Sequence, residues 1–366
     1  MSRSENSAEN VPAQLIPSAA TPLALVNASL PWAYGEPPLQ ALLRSTPDDF
    51  RVEEVLGYDA DGQGEHALLL IEKRGANTDW VARELAKFAG VQPVGVGYAG
   101  MKDRHAVTRQ TFSVHLAGKP DPDWSTFPHA EVKVLAATRH SRKLKRGALR
   151  GNRFVLVLRQ VRGDMAAAEN VLQQIAARGV PNYYGEQRFG REGGNVAQAR
   201  SMFAGRRVER DKRSFLLSAA RSQIFNSVLA ARVERNAWDT PLDGEIWALA
   251  GSRSWFGPEP FTGVLAERLG RLDIHPSGPL WGQGERPSQG DAGALEQSMA
   301  EQYSDLAAGL IAARMDQERR PLRLLPRDLK WRWLDGAAPD ERALELTFEL
   351  PAGAYATVVV RELAQS

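Results

Sequence analysis

Apolar positions along the chain recur with two different periods, and the dominant period changes from one segment to the next. Phe50 to Leu56 alternates weakly and predicts a strand, and Ala67 to Ile71 is a short apolar run of strand length. Val94 to Gly100 alternates glycine with larger residues, as a strand edge running into the polar stretch Lys102 to Gln110. Phe112, Val114 and Leu116 alternate as on a half-buried strand, Val132 and Val134 alternate again, and Phe154 to Leu158 suits a buried strand. Two helical patterns interrupt these strands. Thr78 is placed to cap a helix carrying Val81, Leu85 and Phe88, with Gly90 placed to end it. Asp164 is placed to cap another, whose stripe is Ala168, Val171, Leu172 and Ile175.

Near Gly179 to Pro181 the character changes. Leu217, Ile224, Val228 and Leu229 share one face of a long helix, expected between Ser214 and Asn236. Loops rich in Gly, Pro and Trp are expected from Pro241 to Gly293, and a further helix from Gly293 to Met315. Strand alternation returns at Leu344, Leu346, Phe348 and Leu350, and Pro351 to Gly353 reads as a turn. Residues 355–363 carry a valine run that fits either a strand or a short helix. Strands at both ends and helices between them predict an α+β fold, with a discontinuous domain holding an insertion.

Composition narrows the chemistry. A chain of 366 residues with 43% hydrophobic content is expected to form two domains. The absence of cysteine excludes disulfides, thiolate nucleophiles and cysteine-based zinc sites. No apolar run approaches the length of a membrane helix. Met1 to Asn10 is polar and lacks an apolar signal core, which makes the cytoplasm the default location. Residues 1–28 read as a disordered lead-in. The six histidines are scattered without metal-ligand spacing, so no metal is expected. Gly278 to Gly284 lacks the lysine and helix start of a phosphate loop.

Net charge is only +2, but its distribution is uneven. Arg139, Arg142, Lys143, Lys145, Arg146, Arg150 and Arg153 follow one another with no acidic residue between them, which favours polyanion binding. Further basic clusters span Arg200 to Arg213 and Arg314 to Arg332. Both contain acids, and either a phosphate-binding stripe or a solvated face fits them.

Five segments carry candidate chemistry. Gly97 to Gln110 gathers Lys102, Asp103, Arg104, His105, Thr108 and Arg109 behind a glycine-lined strand end. A carboxylate among cations stays ionised, which suits a nucleophile or base; a salt-bridged loop fits the same residues. Asn152, in Gly151 to Phe154, offers an amide that donates and accepts at once, though an ordinary turn before a strand also fits. Pro181 to Gly190 brings three aromatics together with Gln187 and Arg188, either to stack on bases and contact phosphates or to pack as an interdomain elbow. Tyr355 lies beyond a Pro/Gly turn, as a stacking platform or a core residue, and Phe50 opens a strand where it could line a pocket.

Six segments, in order, resemble the TruD family of tRNA pseudouridine synthases. They are Asp49 to Glu54, Ala99 to Gln110, Arg142 to Phe154, Asn182 to Gly190, Arg221 to Asn226 and Leu350 to Thr357. The resemblance spans Pro47 to Leu363. It implies a V-shaped α+β protein whose catalytic domain, a mixed, mostly antiparallel sheet flanked by helices, is built from 29–178 and 330–366. A helix-rich inserted domain would occupy 179–329. It also implies isomerisation of one uridine of tRNA, at position 13 of the D arm, without metal or organic cofactor, by a monomer in the cytoplasm.

By the same resemblance Asp103 is the essential aspartate, and Phe50, Asn152 and Tyr355 are pocket residues. The family often carries phenylalanine where Tyr355 stands, so the hydroxyl needs a partner if buried. Lys102, Arg104, His105, Arg142, Lys143, Lys145, Arg146, Phe154, Gln187 and Arg188 are expected to contact RNA or support the site. The rival expectation is a tRNA-binding or RNA-folding protein without chemistry.

Overall fold

The computed structural model describes residues 30–102, 105–190, 193–335 and 341–365. The expected lead-in therefore lies outside the described residues, as do Asp103 and Arg104. The chain up to Gly163 supplies β1 (Leu39–Leu43), β2 (Phe50–Leu56), β3 (His66–Arg74), α1 (Thr78–Phe88), β4 (Val96–Tyr98), β5 (Val107–His115), β6 (Val132–His140) and β7 (Leu149–Gly163). Then come α2 (Met165–Arg178), β8 (Val180–Pro181), α3 (Gly194–Phe203) and α4 (Arg210–Glu234). A small sheet forms from β9 (Trp247–Leu249), β10 (Trp255–Phe256), β11 (Ile274–Leu280) and β12 (Glu318–Pro321), with α5 (Gly263–Gly270), α6 (Gly290–Gln302) and α7 (Ser304–Ala312) along its course. The chain closes with β13 (Arg323–Leu324), β14 (Arg327–Asp335), β15 (Arg342–Pro351), α8 (Thr357–Val360) and β16 (Ala364–Gln365).

Ten of these strands make one mixed sheet in the order β14-β15-β7-β2-β5-β3-β6, with β1 and β16 joined beside β7 and β4 beside β5. The order shows why both chain ends matter. β15 lies antiparallel to β7 from Leu344 opposite Leu158 to Pro351 opposite Gly151. On its other edge β7 pairs with β2 and then with β1, which in turn carries β16 in parallel. The fold is α+β, as the alternation of strand-rich and helix-rich segments predicts.

One apolar core joins this sheet to the helices of the middle segment. Phe50, Phe154, Leu156, Leu344 and Phe348 from the sheet share a cluster with Leu172 and Ile175 of α2, Leu217 and Phe225 of α4 and Leu310 of α7. A second cluster seats α1, through Val81 and Leu85, on Leu69, Phe112 and Val114.

Several elements differ from expectation, each for a physical reason. Asn77, not Thr78, precedes the first turn of α1; the Thr78 hydroxyl is buried and engaged by Gln110 instead. The expected single helix up to Met315 breaks at Tyr303 into α6 and α7. Gly309 of α7 packs so tightly on the Phe203 ring that an added Cβ would lie 2.2 Å from it. The segment from Pro241 to Gly293 is not all loop, because β9, β10, α5 and β11 lie within it. The valine run after Tyr355 is the short helix α8, with Val358, Val359 and Val360 all buried.

Burial also creates a pH dependence. His275 in β11 accepts a hydrogen bond from Arg323 Nε at 2.9 Å, and burial with the adjacent cation holds its pKa down at about 4. The imidazole is therefore neutral when folded, while the unfolded chain takes up a proton near pH 6.5. Folding stability is expected to fall as pH drops from about 6.5 towards 4, by at most about 3 kcal/mol from this group. Urea unfolding of wild type and His275→Gln across that range checks it: the substitution should flatten that part of the profile.

Candidate active site

Strand register builds a row of polar side chains across the sheet. Val52 of β2 lies beside Thr108 of the parallel β5, and Glu54 lies opposite Asn152 of β7, which in turn faces Leu350 of β15. Paired positions point to the same face, and so do positions two apart. Thr108, Gln110, Glu54 and Asn152 are therefore neighbours on one surface that also carries Phe50, Val52 and Phe154. Sequence places these residues far apart; only the pairing of β2 between β5 and β7 brings them together.

Glu54 is the hub of this row. Its carboxylate meets the Lys102 ammonium at 2.5 Å, and the two side chains are 0% and 8% exposed. Its other oxygen accepts the Thr111 backbone N–H at 3.0 Å. Gln110 donates to Glu54 at 3.4 Å and to the Gly100 carbonyl at 3.1 Å, and accepts from the Thr78 hydroxyl at 3.0 Å. Thr78 Oγ1 also accepts the Lys102 backbone N–H at 3.1 Å. The loop is thus pinned at Gly100 and Lys102. On the far side of Asp103 and Arg104, His105 is exposed, Ala106 is wholly buried and Val107 starts β5.

Phe50 is buried with its ring edge-on to Phe154 at 6.3 Å, and Phe154 stacks on Phe348 at 5.6 Å. The Arg44 guanidinium lies 4.1 Å over the Phe50 ring, and Arg44 holds a left-handed backbone at φ 64. Such a conformation in a bulky residue costs energy and persists where the surroundings demand it. Asn152 is buried, and its Oδ1 finds no hydrogen-bond partner among the described residues. A buried amide oxygen left open is costly without a ligand or water.

Tyr355 lines a cavity of about 210 Å³ together with Arg44, Tyr183, Tyr184, Gln187 and Arg361. Its hydroxyl accepts from Arg188 Nε at 3.1 Å, which answers the need for a partner. Gly185 allows the approach, since a Cβ there would lie 3.1 Å from the tyrosine ring. Arg44 thus bridges the Phe50 ring and the Tyr355 cavity.

The acid-free basic stretch is not free of acids in space. Arg139 pairs with Asp121 at 2.8 Å, and Arg150 and Arg153 both reach Glu349 of β15. Lys143, Lys145 and Arg146 instead line a groove of about 620 Å³ with Arg83, Asp79 and Tyr98. Lys143 donates to the Val94 carbonyl at 2.5 Å and Arg146 to the Tyr98 hydroxyl at 3.1 Å. The Tyr98 hydroxyl donates to Asp79, and burial together with that bond raises its pKa. Arg142 is exposed. Glu54, Gln110 and Arg44 were not singled out by sequence, and Thr78 was read there only as a helix cap. Glu54 and Gln110 stood inside matching segments, but neither residue type announces a hub without the strand register.

Matches to known proteins agree with this architecture. A family model described as tRNA pseudouridine synthase D (TruD) matches residues 30–197 and 195–363. A tRNA pseudouridine synthase D of Xanthomonas campestris pv. campestris is 54% identical over 351 residues, covering 92% of this chain and 94% of its own. That of Methylococcus capsulatus is 48% identical over 338 residues, with 92% and 94% covered. A crystal structure titled as the putative tRNA pseudouridine synthase D from Methanosarcina mazei shares the fold, with a TM-score of 0.70 at 20% identity over 92% of this chain and 96% of that one. The class so defined is the pseudouridine synthases, which are isomerases. Within it, this chain belongs to the tRNA pseudouridine synthase D family.

Proposed function

We propose that this protein isomerises one uridine of tRNA to pseudouridine, at position 13 in the D arm, with Asp103 as the essential carboxylate. The observation that carries the reading is the pinned loop. Lys102 is tied to Glu54 and Thr78 immediately before Asp103, beside the face that bears Phe50 and the open amide of Asn152.

The chemistry asks for little more. The uridine leaves its stack at a cost of a few kcal/mol, offset in part by stacking on an aromatic such as Tyr355, worth about 1–3 kcal/mol per base. Asp103 then either attacks C1′ or takes a ribose proton to give a glycal. The N1–C1′ bond breaks, the uracil turns, and C5 bonds to C1′ as the Asp103–C1′ bond breaks or, on the glycal route, as the abstracted proton returns to the ribose; the proton lost from C5 is balanced by one gained at N1. Asn152 orients the base or the carboxylate. The reading carries with it a catalytic unit of 29–178 and 330–366, an inserted unit of 179–329, a tRNA partner, a cytoplasmic setting and a monomer. Among the described residues no helix is long and apolar enough to cross a membrane.

Incubation of unmodified tRNA with the protein, followed by pseudouridine mapping, tests the proposal. Conversion confined to position 13 is the expected result; tight tRNA binding with no conversion at any position would leave the binding-only alternative. Tyr355 adds a graded check. Tyr355→Phe keeps the stacking face and is expected to slow conversion by less than about tenfold, whereas Tyr355→Ala should cost about 5- to 150-fold, as single-turnover rates would show.

A further inference from the structure

Tyr184 stands beside two guanidinium groups that pair with no acid among the described residues. Arg188 Cζ lies 5.3 Å from its ring centroid and Arg320 Cζ 4.1 Å. The ring itself is held firmly. Its backbone N–H donates to Asn226 Oδ1 at 2.9 Å, Asn226 Nδ2 donates back to its carbonyl at 3.0 Å, and Phe225 and Tyr355 meet it edge-on.

Neutral groups aim both arginines. Arg188 donates to the Tyr355 hydroxyl at 3.1 Å and to Ser218 Oγ at 2.8 Å. Arg320 donates to Asn182 Oδ1 at 2.7 Å and to the Gly353 carbonyl at 3.4 Å. Its Nε is buried and has no hydrogen-bond partner among the described residues. Neighbouring arginines are treated differently: Arg319 pairs with Glu296 at 2.8 Å and Arg221 with Glu318 at 3.1 Å. Glu186 lines the adjoining cavity but is exposed, and neither arginine pairs with it.

We propose that Arg188 and Arg320 form a clamp for one backbone phosphate of the RNA, next to the uridine that stacks at Tyr355. The inference rests on reading the chain as a tRNA pseudouridine synthase. Two partly buried cations on an aromatic pedestal, held by neutral partners among the described residues, present charge that a phosphate would balance. The guanidinium fork matches its oxygens in geometry as well as charge. A phosphate contact carries no base identity but sets register. Because Arg188 is bonded to Tyr355, the group that stacks the base and the group that holds its backbone move as one unit.

The test uses the full chain and an unmodified tRNA transcript. Arg188→Gln, Arg320→Gln and the double variant are compared with wild type and with Arg271→Gln, whose arginine pairs with Glu267 on α5. For the double variant, KM is expected to rise about tenfold or more, with kcat changed less than about threefold. The slope of log affinity against log salt should fall by about one unit, because a phosphate contact is lost. Arg271→Gln should leave both unchanged. Each single variant should carry part of the effect, so a double variant that fails to fold leaves the singles as the test. An unchanged salt slope and KM in the glutamine variants, with wild type converting uridine, overturns the clamp and spares the enzyme. A reduced slope in variants of a protein that converts no uridine supports the clamp and overturns the enzyme.

Discussion

An Asp103→Asn protein is expected to lose at least about 10³-fold in the rate of pseudouridine formation while still binding tRNA within a few-fold of wild type. The substitution keeps shape and removes the charge that either chemical route requires. Attack at C1′ needs a lone pair on an anionic oxygen, and proton abstraction needs a base; a neutral amide supplies neither. The pinned loop makes the comparison clean. Gly100 and Lys102 are held by Gln110, Thr78 and Glu54, none of which depends on the residue at 103 for the bonds described. Single-turnover conversion with excess protein, together with filter binding of the same tRNA, separates chemistry from affinity. Near wild-type conversion by the asparagine protein would remove Asp103 from the mechanism.

Glu54→Ala should be the most damaging substitution for stability near the site. It strands the Lys102 ammonium, whose side chain is 8% exposed, and leaves the Thr111 N–H without its acceptor. Breaking one side of a buried ion pair costs about 3–5 kcal/mol. The urea midpoint should fall accordingly with little change in slope. Glu54→Gln, which keeps the volume and one acceptor, should be milder in stability yet slow conversion, since the loop leading to Asp103 is anchored on that carboxylate. A loss below about 1 kcal/mol in the alanine variant would mean the pair is not buried in solution.

How much of this was legible from the residues alone differed by element. β2, β5 and β15 announced themselves by alternation, and β3 by a continuous apolar run of strand length. β1 and β14 did not. β14 reads Arg327 to Asp335 with three basic side chains and two tryptophans, and it is held as an edge by indole N–H groups of Trp331 and Trp333 donating to Glu169 of α2. Nothing local predicts an acceptor so distant in the sequence. The same limit applied to charge: Arg150 and Arg153 looked uncompensated until β15 brought Glu349 alongside. Phe50, Asn152 and Tyr355 were singled out as candidates through ordered segments that resemble a family, whereas Arg320 lay in a mixed basic run with a solvated face as an equally good reading. That its buried Nε has no partner among the described residues is visible only in three dimensions.

The pairing of β7 with β15 also bears on how the protein is made. β7 ends at Gly163, but its partner begins only at Arg342. At ribosomal rates of about 5–20 residues per second, the edge of β7 waits on the order of ten seconds for the strand that covers it. During that interval the emerging chain exposes a long apolar strand edge, which invites pairing with other chains. Phe348, Leu350 and Tyr355 leave the exit tunnel only after every strand from β1 to β14. A nascent chain therefore has no complete pocket, and a truncated product of translation should be both inactive and prone to aggregate.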